Sequence, residues 1–520
     1  MAKRFLTCSL EQPYLLPPSP SDWLPESHLA RFVAELIGEL DLSTITGEYG
    51  RRDGRGKAAY HPEMMVRLLL YAYCTGQTSS RKIEEATYVN VAYRYLAANQ
   101  QPDHDTLATF RKRHLKALAD LFIQVLRLCQ EAGLVKLGHV ALDGTKIKAN
   151  ASRHQSVSYE RLGEQEKQWQ QTVEELLAKA EKTDAAEDEQ FGVGKRDEAL
   201  PEKLAKSQER LAAIRAAKAA LEQRAQSKQE EIRQATPPPR PRGRPKTEAG
   251  PTTAAEKTLA DKHRRKRNRA RKESEQPTST YNYTDPDSRL MKDGATKAFV
   301  QAYNAQAAVD EQAQIVVAAS LTQEANDKEQ LAPLLAEMQR NMGAFPTVAS
   351  ADTGYWNTEF IDQYQAQTKL LVPPEALKNT EIPVTAPKND TAQAMRERLK
   401  TEEGKAEYKR RSATVEPVFG QIKQARHFRQ FSLRGVTAVA AEWQLVCLTH
   451  NLLKLARHRR AQTSPVSAPP GTGSRSSGQS STRQRAFFAP GIHRTAFRRR
   501  NRYRNVRPAS SCRSTTTNFL

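Results

Sequence analysis

Three acids stand where the local pattern aims them out of a fold. Asp143 lies near the centre of "HVALDGTKIKANAS", a short apolar strand running into a polar loop. Asp352 ends the strand "TVASAD", directly before Thr353 and Gly354. A carboxylate at a strand's C-terminal end projects from the sheet edge, where α/β sites usually form. Glu416 falls in "RRSATVEPVFGQIKQ", with Ser412 or Thr414 available to cap a helix and Lys423 seven residues on, on the same face. Carried by a first strand, a later strand and a helix, the three can converge. Clustered anions repel and raise each other's pKa, and a divalent cation relieves that repulsion. Hard carboxylate oxygens suit Mg²⁺. Two such ions about 3.5–4 Å apart can activate the attacking oxygen and stabilise the leaving oxygen of a phosphodiester. One Asp after an apolar strand is more often a turn former, so the set carries the reading rather than any member.

Neighbouring residues extend it. Lys146 and Lys148 follow Asp143 closely and suit phosphate contact. Asp285 and Asp287 in "TDPDSRLM" form a rival pair; they read as turn residues, with Arg289 near a nucleic acid. Asn304 and Gln306 alternate along a strand, and either line the site or make structural hydrogen bonds. Tyr355 and Trp356 could stack on an unpaired base at a cleavage site, but core packing is the better reading.

These residues need elements to position them, and composition bounds the choice. A chain of 520 residues suits two or more domains. Hydrophobic residues are 38% of it and the mean hydropathy is −0.72, so part of the chain is expected to be extended. A net charge of +22 points to a polyanion. No apolar run of about 18 residues argues for a membrane span, and "MAKRFLTCSLEQPYLLPPSP" does not read as a signal peptide. Five scattered cysteines without a CxxC pair suit a reducing, cytoplasmic protein.

Segment 1–56 opens Pro-rich. Segment 57–135 reads as amphipathic helices, with Asp105 as an N-cap, Gly133 as a stop, and Arg111 and Arg113 of "FRKRH" on one basic face. That suits a helical DNA-binding domain, or an ordinary bundle with solvated arginines. Segments 136–157 and 278–460 read as one α/β domain interrupted by 158–277. The interruption begins with a helical hairpin, since Leu204, Leu211, Ala225 and Ile232 repeat at multiples of seven. It continues as a basic linker, where "PRGRPK" has the shape of a minor-groove hook using Arg242 and Arg244. Segment 461–520 reads as a disordered basic tail.

The pieces "YHPEMMVRLLLYAY", "HDTLATFRKRH", "ALDGTKIKANAS", "YNAQAAVD", "ASADTGYWN" and "RRSATVEPVFGQIKQARHFRQFSLRG" follow one another in an order that resembles bacterial insertion-sequence transposases of the DDE class, the group related to IS4 and IS5 elements. The resemblance implies an RNase H-like catalytic core. It implies Asp143, Asp352 and Glu416 as a triad holding Mg²⁺ or Mn²⁺, as a pair of ions, and Lys423 as a phosphate contact. Tyr408 and Arg411 match the family's tyrosine and arginine in mutual spacing, although Arg411 lies one residue further from Glu416 than the pattern has it. The implied partners are double-stranded DNA, as element ends and target, and a second copy of the chain; the implied location is the bacterial cytoplasm, with the nucleoid. Two alternatives stay open: a catalytically decayed DNA-binding protein, and a metal-dependent nuclease without strand transfer.

Overall fold

A computed structural model of the chain describes residues 19–49, 59–191, 199–236, 254–277, 279–294, 297–375 and 389–463. Arg242 and Arg244 of the hook, and residues 464–520, lie outside the described residues. Among the described residues, seven helices come first: α1 (Leu29–Glu39), α2 (Ser43–Thr46), α3 (Pro62–Cys74), α4 (Ser80–Val89), α5 (Val91–Leu96), α6 (His104–Arg113) and α7 (Leu115–Glu131). Asp103, not Asp105, caps α6: its carboxylate accepts from the Thr106 amide at 2.7 Å, and Asp105 sits in the first turn. Gly133 follows α7 with φ +71°, a conformation glycine adopts without a Cβ clash.

The chain then enters strand β1 (His139–Lys148) and leaves through β2 (Ser156–Ser158) into α8 (Tyr159–Phe191), α9 (Ala199–Ala235) and α10 (Ala254–Glu275). It returns by β3 (Thr280–Asn282), β4 (Arg289–Lys292), β5 (Phe299–Asp310), β6 (Val316–Thr322), α11 (Leu331–Met342), β7 (Val348–Ser350), α12 (Thr358–Tyr364), β8 (Lys369–Leu371), α13 (Asp390–Lys400), α14 (Glu402–Gly420) and α15 (Val436–Thr463). The hairpin is as its apolar spacing predicts. Leu211, Ile214, Leu221 and Ala225 of α9 are buried. Pairs Tyr159–Glu222 and Glu166–Lys218 run in opposite sequence directions, so α8 and α9 are antiparallel. The basic stretch beyond is a correction: from Ala254 it is not a linker but helix α10. Its run "DKHRRKRNRARK" has no Gly or Pro and is rich in Lys and Arg, both good helix formers.

The main sheet has the order β4-β5-β1-β7-β8, with β6 also paired to β5. β1 and β6 run antiparallel to β5, while β7 is parallel to β1 and β8 parallel to β7. The chain is therefore mixed α/β. Its sheet and the N-terminal helices share one continuous hydrophobic core, which includes Leu68 of α3, Phe122 of α7, Val140 of β1 and Trp443 of α15.

Candidate active site

The register of the central strands brings the first two acids together. β1 and β7 pair with Ala141 opposite Ser350. Two residues further along each strand direction stand Asp143 and Asp352, at matching positions past the end of the shared ladder. The Gly144 amide donates to Asp143 Oδ1 at 2.8 Å, and the Gly354 amide donates to Asp352 Oδ1 at 2.9 Å. Burial pushes the Asp143 carboxyl up to about 6, with Arg411 opposing and Asp352 and Asp327 adding to the rise. Asp352 is raised as well, first by burial, again against Arg411 and with Asp327. Both directions follow from anions that share a partly dry pocket.

Asp327 does not stand out in the sequence, because "QEANDKEQ" reads as the approach to a helix. It stands between β6 and α11 and is held by two amides: Asn304 Nδ2 at 2.7 Å and Gln306 Nε2 at 2.6 Å, both to Oδ1. Asn304 and Gln306 thus line the site and make structural bonds at once. The Tyr355 hydroxyl donates to Gln306 Oε1, which ties the turn after Asp352 to the same clamp. A Cβ at Gly144 would run into Gln306 Nε2 and lie 2.8 Å from Asp327 Oδ1, so any side chain there must displace the amide clamp. The signal available in the sequence is the glycine after Asp143, whose need becomes visible only with its neighbours.

Helix α14 supplies the cationic side. Thr401 caps it, accepting from the Gly404 amide at 3.0 Å. The helix therefore starts well before Ser412, and Glu416 sits near its end rather than in its first turns, which corrects the expected cap. Pro417 lies inside the helix and leaves the Ala413 carbonyl without its usual partner; Gln314 Nε2 donates to it at 3.1 Å. Arg411 Nη1 stands 3.5 Å from Asp143 Oδ2, and its guanidinium lies 5.9 Å from the Tyr408 ring. Lys423, in a π-helical turn after α14, donates to Thr145 Oγ1 and, at 3.0 Å, to the Lys146 carbonyl. Burial lowers its pKa. Lys423 and Arg411 therefore reach β1, and Tyr408 lies beside Arg411.

Glu416 is exposed, and no hydrogen bond or ion pair among the described residues joins it to either aspartate. On a helix of 3.6 residues per turn it lies about 140° around from Arg411. The third carboxylate that acts electrostatically on the pair is Asp327.

Among the described residues, no group of three or more His, Cys, Asp or Glu side chains is arranged to hold a metal as it stands. Arg411 balances Asp143, and two amides engage Asp327. The donor chemistry still fits a hard cation, because Asp143, Asp352 and Asp327 are oxygen donors whose mutual repulsion it would relieve.

Lys148 is exposed, and Lys146 Nζ donates to the Lys292 carbonyl at 3.0 Å on the surface. Arg113 is half-exposed and paired with Glu48 at 2.9 Å. Arg111 is a correction. It is 7% exposed, and its Nη1 donates to the Thr78 carbonyl at 2.8 Å and to the Tyr73 hydroxyl at 3.3 Å, so it is not displayed to DNA. The helix turns this side of α6 inward, where Phe110 is buried beside it. Asp285 is buried and accepts from Tyr303, while Asp287 accepts from the Val436 amide, both structural as read. Arg289 donates to the carbonyls of Pro286, Asp287 and Ser288.

Two family models match the chain. A transposase domain covers residues 18–113, and a transposase DDE domain covers residues 374–456. Both matches support an insertion-sequence DDE transposase. The DDE match spans Tyr408, Arg411, Glu416 and Lys423, and neither match reaches Asp143 or Asp352. No curated protein and no solved structure matches the chain. No helix among the described residues is long and apolar enough to cross a membrane.

Proposed function

We propose that this transposase binds the terminal inverted repeats of its insertion sequence as a homodimer, cuts the ends and joins them to target DNA. The observation that carries the proposal is the matched register of Asp143 and Asp352 on neighbouring parallel strands, with Lys423 and Arg411 turned toward the same strand. The mixed sheet that carries them supports the RNase H-like reading.

Mg²⁺ or Mn²⁺, held by Asp143 and Asp352 with either Glu416 or Asp327 as the third carboxylate, would supply the charge that activates water and stabilises a leaving phosphate-ester oxygen. The chain's residues do the positioning. Asp143 and Asp352 must be ionised to serve, and the Arg411 guanidinium favours that form of both. Asn304 and Gln306 hold Asp327 beside them, and Gln306 also anchors Tyr355 and hence the Asp352 turn. Lys423 presents a partly desolvated ammonium for a DNA phosphate; Lys146 and Lys148 flank it. Water adds to the phosphorus at the element's end and the bridging 3′ oxygen leaves as a hydroxyl. That hydroxyl attacks a target phosphodiester in a second in-line displacement, expelling the target's own 3′ oxygen. Neither displacement passes through a covalent enzyme intermediate.

The test is cleavage of a duplex spanning the junction of element and flanking DNA, with Mg²⁺. Asp143→Ala and Asp352→Ala should each lower the rate about 10²- to 10³-fold or more, the scale of losing a principal electrostatic group, with the thermal unfolding transition retained. Activity that survives both substitutions overturns the site. An unsubstituted chain that binds but never cuts is the decayed protein. One that cuts but never joins a pre-cleaved 3′ end is a nuclease. Glu416→Gln and Asp327→Asn, compared in the same assay, decide which carboxylate completes the set: the larger loss of metal-dependent rate marks it.

A further inference from the structure

Helix α10 has a place in the fold that its sequence does not disclose. It packs along α9, with Ala270 buried at the contact. His263 and Arg267 are partly buried on the same side, whereas Arg264, Arg265, Arg269 and Lys272 are exposed. From Asp261 to Lys272 the helix carries eight Lys or Arg and one acid.

Its outer face is anchored next to the acid cluster. Lys266 Nζ lies 3.9 Å from Glu329, two residues after Asp327, and Lys262 Nζ lies 3.8 Å from Glu359 at the start of the helix after Asp352. All four side chains are about half-exposed or more, so these pairs are weak and exchange readily for phosphate. Arg269 and Lys266 also share an open cleft with Arg224, Lys228 and Arg289.

We infer that α10 is a DNA-backbone clamp for the stretch of duplex that occupies the acid site, bound through Arg265, Arg269 and Lys272. Charge complementarity selects the occupant. Duplex DNA carries one negative charge per about 1.7 Å of axis, and residues 261–272 span roughly 17 Å of helix. The clamp therefore faces several phosphates, on the flank of the loops that carry Asp327 and Asp352. Such contacts fix register without reading sequence. The inference rests on the proposed transposase reading and says where the cleaved segment lies.

The experiment uses the full chain carrying Arg265→Ala, Arg269→Ala and Lys272→Ala, with a random-sequence duplex and a duplex spanning the element's junction. Affinity for both should fall about 10- to 100-fold at moderate salt. The slope of log affinity against log salt should flatten by about 0.9 for each phosphate that is no longer neutralised. Backbone protection should disappear next to the cleavage position, and the unfolding temperature should not move, because all three residues are exposed. Unchanged affinity and slope in a chain that still cuts the junction duplex overturn the clamp and leave the proposed function standing. Loss of binding to anionic vesicles with none to duplex overturns it in favour of a lipid surface. An unsubstituted chain that binds neither duplex overturns both readings together.

Discussion

Helices α6 and α10 carry the same kind of sequence and opposite fates. "FRKRH" and "DKHRRKRNRARK" both read as basic faces for a polyanion. In α6 the guanidinium of Arg111 is turned inward to Tyr73 and Thr78. The Tyr73 hydroxyl then donates to Glu442 of α15 at 2.9 Å, so three helices meet at one buried polar chain. In α10 the buried residue among the described side chains is the small Ala270, and Arg264, Arg265, Arg269 and Lys272 are exposed. The difference teaches that a basic run names a capacity. Which face is buried decides whether the capacity is spent on folding or offered to a partner.

That contrast can be broken most forcefully at Arg111. Arg111→Met should cost about 3–5 kcal/mol of stability, the scale for removing one partner of a buried charged network. Burial raises the Glu442 carboxyl, Arg111 opposes the rise, and the substitution removes that opposition. Urea denaturation measures the loss; a variant of full stability with weakened DNA binding would return Arg111 to the surface role its sequence suggests.

A smaller effect comes from a buried anion. Burial pushes the Glu337 carboxyl on α11 up to about 7, although the Ala319 amide donates to it at 3.3 Å. Its folded value exceeds its usual 4.5, so the native state holds a proton the unfolded chain releases between these values. The associated stability is complete below about 4.5 and is lost as pH rises through about 7. Glu337→Gln should therefore stabilise the fold on the order of 1 kcal/mol at pH near 8 and by nothing measurable near pH 4. Thermal melts at the two pH values check the sign, and an equal gain at both would show that burial of charge is not the cause.

The smallest effect belongs to Arg113, beside Arg111 but half-exposed and paired with Glu48. Arg113→Ala should change stability by less than about 1 kcal/mol, and the change should shrink in high salt. A loss as large as that at Arg111 would erase the distinction between the inward and outward sides of α6.

Much of the site is legible in the residues themselves. The short apolar strands around Asp143 and Asp352 are β1 and β7, and of the heptad residues Leu211 and Ala225 are buried in the hairpin. Asp327 is not legible, because an acid before a helix is a common N-terminal residue and nothing local says that two amides from β5 will hold it. Glu416 reads as a first-turn residue because Ser412 and Thr414 are good caps; the helix begins earlier, at Thr401, and runs through both.

The sequence alone determined the strands that carry Asp143 and lead to Asp352, the α8–α9 hairpin, the charge available to meet a polyanion, and the acids able to share a cation, but not helix α10 or the start of α14. These follow from local rules: propensity, periodicity and ionisation. Only the tertiary structure decided which of those groups meet. The β1–β7 register set Asp143 beside Asp352, the turn before α11 delivered Asp327, the buried side of α6 withdrew Arg111, and the fold set Lys266 of α10 near Glu329. Distance in space between residues far apart in the chain is fixed by packing, which no local pattern carries.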